Sequence, residues 1–155
     1  MPIRTEIRGR VAEIVLDHPP VNALDSAGWN ELPGIITSAG RNPEVRCVLI
    51  RGEGRGFCAG VDIKELQAHP ERIVAVNRGN YLTFQAVRAC EVPVVTAVHG
   101  FVIGGGIGIC GAASHELRVH AHPGIVWDEF VGYWITLWAI PFDWVWMLAG
   151  FVVFR

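Results

Sequence analysis

The chain has 155 residues, enough for one domain with a real core, and a formal net charge of −2. Its 13 basic and 15 acidic residues form no basic stripe interleaved with aromatics, which excludes a nucleic-acid footprint. Cys47, Cys58, Cys90 and Cys110 share no C-x-x-C spacing and the six histidines form no H-E-x-x-H pair, so a disulfide frame or a zinc site is not expected.

In chain order, Ile3 to Ile7 and Arg10 to Leu16 read as a β-hairpin around Gly9. The charged, strand-like start replaces a signal peptide and points to the cytoplasm. Asp17-His18-Pro19-Pro20 ends the hairpin. Asp25 or Ser26 then caps a helix to about Ala39, with Pro33-Gly34 weakening its middle. The apolar run Arg46 to Ile50 predicts a buried strand, and Gly52 to Gly60 a loop. Asp62 opens a short helix over Ile63 to Gln67. Glu71 to Cys90 is a long helical stretch, and Val94 to Val98 another buried strand. Strands alternating with helices imply parallel pairing in an α/β fold. The four cysteines read as reduced, buried thiols, and the histidines as solvated or core residues. Lys64 is the one lysine of the chain.

Six of the thirteen residues from His99 to Gly111 are glycine. Gly106, Gly108 and Gly111 fit G-x-G-x-x-G, with Asp128 and Glu129 as acids about twenty residues on. Those glycines, however, fall inside the expected helix, not in the turn that opens it. A Walker loop is excluded because no Gly-Lys-Ser/Thr follows. Two readings stay open: close helix packing, or a helix N-terminus whose bare N–H groups hold an oxyanion. A second strand–glycine–helix unit lies upstream, from Val48 through Gly56 and Gly60 into Ile63. Two such units can aim two backbone N–H groups at one point, which is the requirement for an oxyanion hole.

At this point a family resemblance enters. Phe57-Cys58-Ala59-Gly60-Val61-Asp62-Ile63-Lys64-Glu65 resembles the first signature of the crotonase (enoyl-CoA hydratase/isomerase) family. Ala97 to Gly106 resembles the second, and Pro19-Pro20-Val21-Asn22-Ala23-Leu24 resembles the family's early loop. The resemblance implies a spiral of ββα turns, incomplete here, assembled as homotrimers or hexamers in a complete member. It implies an acyl-CoA thioester ligand, with coenzyme A part of the substrate and no separate cofactor. It places the oxyanion donors on the backbone N–H groups of Val61 and Gly105. Ala23, Ala59, Asp62, Ile63 and Gly104 would line the coenzyme A groove, and Lys64 would reach a phosphate. Family hydratases carry a glutamate where this chain has Gly108, so hydration by two glutamates is not expected. Asp128 is the candidate base. The motifs look most like an actinobacterial branch that opens a CoA-linked ring hydrolytically in steroid breakdown. The opposing function class is a non-catalytic remnant or an acyl-CoA-binding module.

The resemblance covers residues 1–113. From 114 to 155 the family pattern is lost: five of the six tryptophans fall between Trp127 and Trp146, and Asp143 and Arg155 are the charges left after Phe130. Phe130 to Phe154 is long enough to span a membrane, but Pro141 and Asp143 at its middle argue against a span. A shifted reading frame near codons 111–115 is the economical explanation, with a genuine short paralogue bearing a divergent tail as the alternative; the apolar surface left by the missing turns and the tryptophans predict a self-associating chain with little turnover.

Overall fold

The computed structural model describes residues 3–116. The chain separates into two units, Met1–His120 and Ala121–Arg155, and every described residue lies in the first.

Strands β1 (Ile3–Arg8) and β2 (Val11–Leu16) form the expected antiparallel hairpin, with Ile3 opposite Leu16 and Arg8 opposite Val11. Two parallel crossovers extend it. Helix α1 (Ser26–Gly40) leads to β4 (Cys47–Gly52), which lies against β2. Helix α3 (Ile73–Arg88) leads to β6 (Val94–Ala97), which lies against β4. The sheet order is β1-β2-β4-β6. Helix α4 (Gly105–Glu116) follows β6 and packs on α3.

Alternation along the strands sorts the two faces of the sheet. Ala12, Ile14 and Leu16 of β2 and Val48 and Ile50 of β4 are buried, as are Trp29, Leu32 and Ile36 of α1. The opposite face carries an Arg/Glu lattice: Arg4–Glu6 at 3.3 Å, Arg8–Glu6 at 2.7 Å, Arg51–Glu13 at 3.5 Å and Arg51–Glu53 at 2.8 Å. The hydrogen bond from Arg8 holds the Glu6 carboxyl below its ordinary value, and that from Arg51 does the same for Glu53.

Asp25 caps α1, its carboxylate accepting from the Gly28 N–H at 2.7 Å. Pro33 sits inside this helix without breaking it. The stretch expected as one helix from Glu71 is divided into a 3-10 turn at Pro70–Arg72 and α3 from Ile73. The short helix α2 (Ile63–Ala68) is tied back to α1 by Glu65. The Glu65 carboxylate accepts from the Ser26 N–H at 2.6 Å, the Ser26 hydroxyl at 2.8 Å and the Arg72 guanidinium at 2.6 Å. Burial pushes this carboxyl up, but Arg72 and Ser26 outweigh it and leave the group below its ordinary 4.5. A lowered carboxyl stabilises the fold above its unfolded value, and that stability is lost as pH falls through the folded value. Glu65→Gln is expected to cost about 1–3 kcal/mol at neutral pH in urea melts, with the gap from wild type closing in acid.

Candidate functional site

The site is built by three short extended segments that run side by side. The middle one contains β5 (Gly60–Val61), which pairs in parallel with β3 (Ala23–Leu24). The Ala59 N–H donates to Val21 O at 3.0 Å and the Asp62 N–H to Leu24 O at 2.9 Å. On the other side Cys58 bridges Val102 in parallel, and the Ile103 N–H donates to Cys58 O at 2.9 Å. Each segment runs into a helix start: α1 at Ser26, α2 at Ile63, α4 at Gly105. The topology therefore gathers three helix N-termini, each with orphan N–H groups and a partial positive charge.

Two of the three starts are closed by the protein's own carboxylates. Asp25 and Glu65 close α1. The Asp62 carboxylate closes α2, accepting from the N–H groups of Lys64 at 2.9 Å and Glu65 at 3.3 Å. The third start, Gly104-Gly105-Gly106, carries no side chain of its own to cap it. The Gly106 N–H turns back to Ile103 O at 3.1 Å and the Ile107 N–H to Gly104 O at 3.0 Å. Gly105, as the first helical residue, has no intrahelical acceptor for its N–H.

Gly60 brings the second segment up to that point. Its φ of +85° is one that a side chain strains, and a Cβ on it would stand 3.4 Å from the Gly105 nitrogen. Val61 follows Gly60 directly, and β5 packs against α4. Gly105 in turn is held tight from behind. A Cβ there would collide with Asn80 Oδ1 and stand 2.5 Å from Trp29 Cη2. Trp29 is fully buried, and its Nε1 has no hydrogen-bond partner.

Ala23 is paired with Gly60 across the β3–β5 seam, Ala59 precedes Gly60, and both alanines are half-buried. Ile63 is 61% exposed, and Gly104 and Lys64 are also exposed. Asp62 is committed to its cap. Gly108 lies one turn beyond Gly105 with no side chain to move a proton, and Phe84 presses against it. Asp128, Glu129, His120, His122 and the tryptophans beyond residue 116 lie outside the described residues.

The thiols divide into two pairs. Cys58 and Cys110 are buried, whereas Cys47 and Cys90 are half-buried, which corrects the expectation that all four are buried. Burial pushes the Cys58 thiol up to about 11 against the opposing Gly60 N–H, so it is no nucleophile. Among the described residues no group of three or more His, Cys, Asp or Glu side chains could hold a metal ion. No helix among them is long and apolar enough to cross a membrane.

One residue of this site was given no role by motif reading. Asn22 is 2% exposed and has φ of +55°. Its Nδ2 donates to Glu53 O at 2.8 Å and Gly56 O at 2.9 Å, and its Oδ1 accepts from the His18 N–H at 2.8 Å. The Cys58 thiol donates to Asn22 O at 3.2 Å. Asn22 therefore pins the early loop to the middle segment. An Asn in the loop before a helix cap, in a glycine-poor turn needing positive φ, is the available signal.

The family model for enoyl-CoA hydratase/isomerase matches residues 6–115. The chain belongs to the enoyl-CoA hydratase/isomerase family. It is 52% identical over 106 residues to a (7aS)-7a-methyl-1,5-dioxo-2,3,5,6,7,7a-hexahydro-1H-indene-carboxyl-CoA hydrolase of Rhodococcus jostii, covering 67% of this chain and 41% of that protein. A putative enoyl-CoA hydratase structure from Streptomyces coelicolor superposes with a TM-score of 0.66 at 34% identity, over 73% of this chain and 43% of that one. The chain thus spans about two fifths of the length of these crotonase relatives. A different kind of match is to phosphatidylglycerophosphatase A of Escherichia coli: 53% identity over 51 residues, 32% of this chain and 30% of that protein.

Replacing Asn22 by Ala would take the side-chain partner from two carbonyls, Glu53 O and Gly56 O, and from the His18 N–H, and put alanine at positive φ. The expected loss is about 3–5 kcal/mol in denaturant melts. Thiol labelling of the native chain is expected to modify Cys47 and Cys90 first, with Cys58 and Cys110 reacting on unfolding.

Proposed function

We propose that the bare start of α4 receives the carbonyl oxygen of an acyl-CoA thioester, with the Val61 and Gly105 N–H groups as its two donors. The observation that carries this reading is the contrast between the three helix starts: two are closed by side-chain carboxylates, and the third is open beside Gly60. An oxygen held there gains charge as an enolate or tetrahedral centre forms, and each donor is worth about 2.7–4 kcal/mol in that transition state. Ala23, Ala59, Asp62, Ile63 and Gly104 border the groove for coenzyme A, and exposed Lys64 supplies a cation for a phosphate. The relatives named for CoA hydrolysis and enoyl-CoA hydration both act on CoA thioesters, which supports the substrate class. With Gly108 lacking a side chain, the reaction served is one in which position 108 moves no proton, such as the hydrolytic opening of a ring carried on CoA. Asp128 is the base we assign to it.

Calorimetry with crotonyl-CoA, followed by turnover of the same thioester, tests the reading. Binding is expected for wild type and for Val61→Ala, which keeps the N–H. A loss of at least about tenfold is expected for Val61→Pro, which removes it. Binding without turnover would place the chain among acyl-CoA-binding modules. Light scattering is expected to show self-association, because Ile63, Val95, Val98 and Ile103 are exposed.

A second reading concerns the residues after the family match. We propose that they form a segment akin to phosphatidylglycerophosphatase A joined to the crotonase-like part. The crotonase match takes 67% of the chain and the phosphatidylglycerophosphatase match 32%, so the chain has room for the two side by side. The family model ends at residue 115, near where the family pattern is lost. Such identity requires the frame as written to be a coding one, so this reading replaces a shifted frame. Sequencing codons 105–130 from independently isolated DNA tests it. The same in-frame junction is expected; a continuation into Phe-Gly-x-Pro-Glu in another frame would overturn it.

A further inference from the structure

Helices α3 and α4 meet in a fixed register. Asn80 and Phe84, four apart on α3, face Gly105 and Gly108, three apart on α4. These spacings put each pair on one face of its helix. Asn80 Oδ1 stands against Gly105, and the edge of the Phe84 ring stands where a side chain at position 108 would be, with Cε1 2.6 Å from that Cβ place. Gly105 and Gly108 are about 4.5 Å apart along the axis, from the 1.5 Å rise per residue. Phe84 is half-buried.

We propose that Phe84 is the residue that selects the acyl group. This rests on the reading of Gly105 as a carbonyl donor. An acyl group whose carbonyl oxygen sits at Gly105 and which extends along α4 meets, one turn on, the Phe84 ring. The ring gives an apolar acyl group an aromatic surface. It also denies the place at 108 to any acid or ordered water. A two-carbon acyl group is too short to reach it, whereas a ring-bearing apolar one packs on it. Selection therefore favours bulky, apolar acyl thioesters over acetyl.

Calorimetry on the full chain with acetyl-CoA, cyclohexanecarbonyl-CoA and coenzyme A tests this. Wild type is expected to bind cyclohexanecarbonyl-CoA about tenfold or more tightly than acetyl-CoA. Phe84→Ala is expected to abolish most of that ratio while leaving acetyl-CoA and coenzyme A within about twofold. A general loss of packing would instead weaken all three alike, and that result would overturn the proposal, as would an unchanged ratio. Should Phe84→Ala fail to fold, Phe84→Leu replaces it and is expected to reduce the ratio in part. If wild type binds coenzyme A and acetyl-CoA but does not discriminate, the selector is wrong and the oxyanion reading stands. If it binds none of the three, the underlying reading falls and takes this one with it.

Discussion

The carboxamide of Asn22 is the interaction on which the site depends. It spends its donors on carbonyls of the 53–57 loop and its acceptor on the His18 N–H, while its own backbone turns through positive φ. Without it the early loop has no reason to lie parallel to β5. The parallel seam then brings Ser26, Ile63 and Gly105 to the same end of three segments. A buried, fully bonded polar group of this kind fixes one arrangement because every alternative leaves carbonyls unpaired.

Behind the site the constraint is steric. The Trp29 side chain and backbone fill the space that Cβ atoms would need at Gly79 on α3 and Gly105 on α4. Three helices close on one indole because two of them yield glycine to it. This separates the jobs of neighbouring glycines in the run from Gly104 to Gly111. Gly105 makes room for Trp29 and Asn80, Gly106 for Cys58, and Gly108 for Phe84, whereas Gly111 has open space. Packing inside α4 thus accounts for Gly106 and Gly108 of the G-x-G-x-x-G spacing but not for Gly111, and the three lie within the helix, with no turn in which a pyrophosphate could sit. Close packing, one of the two readings of this stretch, applies to Gly105, Gly106 and Gly108.

Much of the fold was legible because it rests on strong local signals. Alternation marked β1 and β2, apolar runs marked β4 and β6, and Asp25 and Asp62 marked their helices. Strands β3 and β5 were not legible, since two residues carry no period, and their pairing is set by Asn22 and Cys58 from outside the strands. The half-buried Cys47 looked buried because strand-like surroundings do not tell an inner position from a strand end, and Cys90 lies just past the end of α3. At the site, the roles proposed for Val61 and Gly105 rest on motif resemblance. The approach of Gly60 to Gly105, and the packing of Phe84 on Gly108, depend on interhelical register that no single segment encodes.

The sheet order β1-β2-β4-β6 has a consequence for how such a chain comes into being. Every strand of this sheet is laid beside the sheet strand made before it, and always on the same margin. The opposite margin, β1, is fringed with Arg4, Glu6 and Arg8, a charged border that discourages further pairing. A growing polypeptide can therefore zip up this sheet strand by strand as it emerges from the ribosome, whereas β3 and the early loop wait for the later β5 segment. The corner where α4 meets β5 is the last part to be finished, because α4 must be out before Gly105 can meet Gly60. An unfinished chain thus has a folded sheet well before that corner is built.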